Sequence, residues 1–123
     1  MAQPESPTNA ELALLDVLWA NGPSTVREVA TAIHGEPTAV QYRTVQVLMH
    51  RLERKALVAG DRDVSPHRFS AAIGRGELIG DELQRVADKV CEGSLAPLLL
   101  NLARTATLSA DDRAQLWKLL EGE

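Results

Sequence analysis

Cysteine and aromatic residues are scarce in this sequence: one cysteine, Cys91, and four aromatics, Trp19, Tyr42, Phe69 and Trp117, in 123 residues. Each scarcity excludes something. A single cysteine forms no internal disulfide and no multi-cysteine metal site. Within its apolar stretch Cys91 reads as a small packing residue. His34, His50 and His67 stand far apart without metal-ligand spacing, so no metal is expected. No phosphate loop, dinucleotide-binding glycine pattern or glycine-flanked nucleophilic serine occurs. The expectation is therefore a protein that is not an enzyme and holds no cofactor. A membrane span takes roughly 18 consecutive apolar residues, and no run approaches that. Met1 to Pro7 lacks both the basic start and the apolar stretch of a signal peptide. A cytoplasmic location without membrane insertion is the expectation. With so few aromatics, the core must come from Leu, Val, Ala and Ile, which favours packed helices.

The net charge of −4 is unevenly spread. Residues 1–41 and 74–123 are both acidic. Residues 42–73 carry Arg43, Arg51, Arg54, Lys55, Arg62 and Arg68 against Glu53, Asp61 and Asp63. One central segment is thus basic, as an electrostatic footprint for a polyanion would be.

Residues 1–7 are polar and contain two prolines, and read as a disordered tail. Thr8 then caps a first helix with Glu11 as its reciprocal partner. Leu12, Leu15, Val17, Leu18 and Trp19 give it an apolar face, and Asn21-Gly22-Pro23 ends it. Thr25 and Glu28 open a second helix, with Val26, Val29, Ala30 and Ile33 at helical spacing; His34-Gly35 closes it. A third helix starts at Ala39 or Tyr42 and runs to Lys55. Val45, Leu48, Met49 and Leu52 form its buried stripe. The period then changes. Leu57–Arg62 and His67–Ala71 read as two strands around the turn Asp63-Val64-Ser65-Pro66. Gly74-Arg75-Gly76 reads as a hinge into three further helices. The first carries Leu78, Ile79, Leu83, Val86, Ala87 and Val90; the second is capped by Ser94 and the third by Ser109.

Three helices followed by a hairpin predict a mainly α fold, a winged helix-turn-helix over residues 8–73, with a helical dimerisation region over 74–123. In such a fold the third helix enters the major groove and the hairpin, or wing, meets flanking backbone. Arg43, Gln46 and His50 then face base edges, where arginine grips guanine and glutamine grips adenine. Arg51, Arg54, Arg62 and Arg68 suit phosphates, which set register rather than sequence. Thr25 and the early amides of the second helix suit another phosphate. The residues alone leave a second reading open, a winged-helix module that binds protein and never DNA. The basic segment favours the first reading and the overall acidity the second.

The second half is rich in apolar residues beyond what three helices bury among themselves. Leu95, Leu98, Leu99, Leu100 and Leu102 are dense, and Leu116, Trp117, Leu119 and Leu120 add a second cluster. A monomer exposing them would carry a large apolar patch, which a two-fold partner covers with one repeated surface. Leu95, Leu98, Leu99, Leu102, Leu116, Trp117 and Leu120 are the expected dimer contacts.

The stretch from Tyr42-Arg43-Thr44-Val45-Gln46 through His50-Arg51-Leu52 to Lys55 resembles the third helix of the penicillinase repressors, the BlaI/MecI family. Glu11–Trp19, Thr25–Val29, Gly93-Ser94-Leu95 and Leu98–Asn101 are similar to other parts of that family, so the resemblance runs from about residue 8 to 121. It adds Tyr42 and Thr44 to the DNA-contacting set. It implies a homodimer that represses β-lactam-resistance genes from a palindromic operator. It also implies release after cleavage in the dimerisation half, prompted by a sensor protease. The matching bond is Asn101-Leu102, where leucine replaces the family's phenylalanine. Two other departures stand out: Ala56 follows Lys55 where the family usually has glycine, and Phe69 occupies a position where tyrosine is common. The clustered cysteines of copper-responsive relatives are absent, which leaves a relative responding to another signal as the alternative within the family.

Overall fold

Three threonines set the first half. In the computed structural model, which describes residues 5–105 and 107–122, Thr8, Thr25 and Thr38 each cap a helix through a reciprocal box. These helices are α1 (Asn9–Asn21), α2 (Val26–His34) and α3 (Ala39–Arg54). In each box the threonine hydroxyl accepts the third backbone N–H, and the residue carrying that N–H reaches back to the cap's own N–H. Sequence analysis foresaw the first two. The third, Thr38 with Gln41, fixes the start of α3 at Ala39.

The order continues with β1 (Val58–Asp61), β2 (Arg68–Ala71), α4 (Arg75–Val90), α5 (Ala96–Thr105) and α6 (Ala110–Leu120). β1 and β2 pair antiparallel with Val58 opposite Ala71 and Asp61 opposite Arg68. The strands are shorter than expected, because Leu57, Arg62 and His67 stand outside the ladder. The fold is thus mainly α with a two-stranded antiparallel wing. A feature unforeseen from sequence extends the wing: Ser24 pairs with Phe69 on the other edge of β2, through hydrogen bonds of 2.8 and 2.9 Å. The link between α1 and α2 therefore holds the wing base, and an otherwise marginal hairpin gains a third partner.

The chain divides into two compact units, Met1–Glu82 and Leu83–Glu123. The first has one apolar core. Leu14, Leu15 and Leu18 of α1, Val29 and Ala30 of α2, and Val45, Met49 and Leu52 of α3 meet Leu57, Val58, Phe69, Ile73 and Leu78 there. Leu48 is only half-buried. Ile33 was expected inside but is 36% exposed; it lies in the last turn of α2, past the covered Val29 and Ala30.

Two local expectations change. Gly74-Arg75-Gly76 is not a loose joint, because Arg75 and Gly76 are the first residues of α4. Arg75 is tied to α1 by an ion pair with Asp16 at 3.1 Å and by a guanidinium 4.5 Å above the Trp19 ring. The Trp19 indole N–H also donates to the Ile73 carbonyl at 2.8 Å. Of residues 1–7, expected as a disordered tail, 1–4 lie outside the described residues. The Ser6 hydroxyl donates to Glu82 at 2.7 Å, and its carbonyl accepts from Lys55 at 3.1 Å.

The turn out of α3 explains the family's glycine. Ala56 has φ 64°, in the left-handed region that a Cβ disfavours. Relief of that strain outweighs the extra chain entropy of glycine, so Ala56→Gly is expected to stabilise the fold by about 0.5–1 kcal/mol. Urea unfolding checks this: the midpoint should rise with an unchanged slope.

The second unit is built differently. α4 ends in a turn in which the Gly93 N–H donates to the Ala87 carbonyl at 2.9 Å. Ser94, expected as the cap of the next helix, stands two residues before α5, where its hydroxyl accepts the Ala96 N–H at 3.3 Å. Ser109 caps α6, accepting the Asp112 N–H at 3.0 Å. Neither α5 nor α6 has a fully buried residue.

Candidate nucleic-acid interface

α3 is pinned to the core by Val45, Met49 and Leu52. At about 100° per residue, Arg43, Gln46, Val47, His50 and Arg54 then share one sector on the opposite side. All five are exposed. Arg43, Arg51 and Arg54 have no ion pair or hydrogen bond among the described residues, so their donors are unspent. The helix thus presents unpaired guanidinium groups, an amide and an imidazole on one outward strip, while its other side cannot turn away from the core.

Tyr42 joins α3 to α2, and Thr44 serves α3 itself. Tyr42 is half-buried with the Arg27 guanidinium 4.9 Å above its ring. The Thr44 hydroxyl donates to the Val40 carbonyl at 3.0 Å, one turn back. His50 meets the wing: its ring is edge-on to Phe69, with centroids 6.4 Å apart.

A cleft of about 560 Å³ runs between the start of α2, α3 and the wing. It brings together Thr25, Tyr42, Gln46, His50 and Arg68 from the expected set, and adds Arg27 and His67, which sequence analysis did not assign. Arg43 and Arg51 border a second groove along α3, and Arg51 and Arg54 line a third beside Lys55.

Thr25, Arg62 and Arg68 have internal duties. Thr25 is buried as the α2 cap, and its N–H already donates to Glu28 at 2.8 Å. That hydrogen bond first, then Arg68 at 3.2 Å, holds the Glu28 carboxyl below its ordinary value despite some desolvation. Arg62 forks onto both Glu53 oxygens at 2.6 and 2.7 Å, with its guanidinium 5.9 Å from the Phe69 centroid. The pair lowers the Glu53 carboxyl and raises the Arg62 guanidinium. Gly60 makes room for it: a Cβ there would fall 2.8 Å from Arg62, 2.9 Å from Glu53 and 2.9 Å from Phe69. A phosphate at Arg62 or Arg68 would have to share the guanidinium with a carboxylate, whereas one at Arg43, Arg51 or Arg54 would not.

In the second unit, Asn101 and Leu102 are exposed in the middle of α5, and the Asn101 carbonyl accepts the Thr105 hydroxyl at 2.9 Å. Leu95, Leu99, Leu102, Leu116, Trp117 and Leu120 are exposed, Trp117 by 64%; Leu98 is half-buried. The stripe Ile79, Leu83, Val86 and Val90 of α4 is exposed as well. Its i, i+4, i+7, i+11 spacing was readable, but which side of α4 stays uncovered was not.

Among the described residues, no helix is long and apolar enough to cross a membrane. No curated protein matches the sequence. A solved structure similar to it is the PcaV transcriptional regulator from Streptomyces coelicolor in complex with its natural ligand. The two are 21% identical over 95% of this chain and 74% of that one, with a TM-score of 0.44. The family comparison is far more extensive, since the penicillinase repressor profile matches residues 7–122. The chain belongs to the penicillinase repressor family, a family of DNA-binding transcriptional regulators rather than enzymes.

Proposed function

We propose that the chain represses transcription as a homodimer on a palindromic operator, with α3 of each copy in a major groove and the β1–β2 wing against flanking backbone. The observation that carries this reading is the outward strip of α3, where Arg43, Gln46 and His50 offer donors and acceptors that nothing else on α3 requires. Arg43 and Gln46 read bases, with His50 beside them at the wing. Arg51 and Arg54 take phosphates; Arg68 and Arg62 do so only by sharing with Glu28 and Glu53. Thr25 places the start of α2 against the backbone. In this reading residues 8–73 bind DNA and 74–123 pair the copies, through the leucines of α5, the Leu116, Trp117 and Leu120 cluster of α6, and the α4 stripe. The regulated genes are those of β-lactam resistance. A sensor protease relieves repression by leading to a cut at Asn101-Leu102, in the middle of α5, which would break the pairing surface.

The experiment is a titration of specific and random duplexes. Arg43→Ala or Gln46→Ala should weaken specific binding by about 1–3 kcal/mol per lost bidentate contact and barely change random binding. Equal losses on both duplexes would remove base reading from α3. Absence of any DNA binding by the intact chain would leave the protein-interaction module as the reading.

A further inference from the structure

Two valines on α3 lie on the wrong side for a core. Val40 is 75% exposed and Val47 45%, both away from the Val45, Met49 and Leu52 stripe. With Ala39, Thr44 and Leu48 they form the floor of a shallow groove of about 500 Å³, bordered by Arg43 and Arg51. A β-branched residue at an exposed helix position has neither packing nor propensity in its favour. Both guanidinium groups are without an ion pair among the described residues, so the occupant is expected to be anionic at its edges and apolar at its centre.

We infer that Val47 and Val40 read thymine C5-methyl groups, which rests on the assignment of α3 to the major groove. The charge pattern selects this occupant. A phosphate answers Arg51, the acceptor atoms of a base edge answer Arg43, and the thymine methyl is the apolar group that base edges present in the major groove. Val47 sits between Arg43 and His50 on the strip, one turn from each, so a methyl on it lies beside the bases those residues address. Val40 and Val47 are seven residues apart, about 10 Å along the helix axis. Each half-site should therefore carry two separate methyl-sensitive positions, one for each valine. Specificity is then shared between polar contacts, which reject a wrong donor or acceptor, and apolar contacts, which reject the loss of one methyl.

The test uses the full chain and the duplex most enriched by it from a randomised pool. Each thymine is replaced singly by uracil, which removes the methyl and leaves every hydrogen-bonding group. Wild type should lose about fourfold in affinity at a sensitive thymine, the weight of one methyl group taken out of water. Val47→Ala should bind the thymine duplex more weakly and no longer distinguish uracil at its position; Val40→Ala should do the same at the other. Both side chains are exposed and alanine is the better helix former, so the thermal midpoint should not fall, which separates lost reading from lost folding. Sequence-specific binding in which no uracil matters to wild type would overturn the inference alone. So would valine variants that keep the full thymine preference. A wild-type chain that enriches no sequence would overturn both the inference and the DNA-binding reading beneath it.

Discussion

Lys55→Met should destabilise the first unit by about 3 kcal/mol, although Lys55 lies at a helix end where a lysine usually matters little. The reason is Glu11, which is fully buried. Its Oε1 carries the Thr8 N–H at 2.9 Å and the Lys55 ammonium, while Oε2 has no hydrogen-bond partner among the described residues. Burial pushes this carboxyl up, but the Lys55 and Thr8 hydrogen bonds and the Lys55 charge together hold it below its ordinary 4.5. Remove Lys55, and a buried carboxylate keeps one cap contact and no counter-charge. A folded pKa below the unfolded one means that Glu11 stabilises wild type above the unfolded value, and that this contribution fades as pH falls through the folded value. In the variant burial is no longer offset, so acid relieves the strain. The stability gap between the two proteins should therefore begin to narrow above the ordinary carboxylate value, as the variant's Glu11 takes up its proton, and go on narrowing as pH falls through the lowered wild-type value. Glu11→Gln combined with Lys55→Met keeps the cap without the charge and should recover most of the loss. A gap under about 1 kcal/mol at neutral pH would place the pair among ordinary surface ion pairs.

That pair shows where sequence reading stops. Thr8 and Glu11 announce a cap because the box is a local motif of fixed spacing. Lys55 is 44 positions away from Glu11, and no spacing rule connects them. The same division runs through the site. The Val45, Met49 and Leu52 stripe fixed in advance which side of α3 faces outward, since a helix period determines both sides at once. Arg43, Gln46 and His50 lie on that outward side as expected. The partners of Arg62 and Arg68 were not readable, because Glu53 and Glu28 reach them only through the return of the wing onto α2 and α3. Gly74-Arg75-Gly76 looked like a joint because two glycines flank it. The Trp19 ring and Asp16 hold Arg75, and both belong to a helix far earlier in the chain. Thr38-x-x-Gln41 was readable by the rule used for the first two caps.

Replacing Leu99 and Trp117 together by glutamate should give a folded monomer whose operator affinity falls by about 10²–10⁴. Leu99 is 53% and Trp117 64% exposed in the isolated chain, and neither α5 nor α6 has a fully buried residue. Two charges there cost the fold of one copy little. They cost a two-fold interface much more, because an isologous surface meets each substitution twice and leaves four carboxylates to be desolvated. The effect on DNA follows from geometry. A dimer holds two copies of α3 for grooves roughly 34 Å apart, so once one half-site is bound the second binds as an intramolecular event. A monomer keeps Arg43, Gln46 and Val47 and should read a single half-site with undiminished sequence preference, but weakly. Sedimentation velocity and titration of whole and half operators separate the two quantities. Whole-operator affinity should collapse to that of the half-site, while half-site affinity stays within about twofold of wild type. A variant that remains dimeric would remove α5 and α6 from the interface. A monomeric variant that binds the whole operator as tightly as wild type would show that pairing contributes nothing to recognition, and the proposed route from cleavage at Asn101-Leu102 to release would go with it.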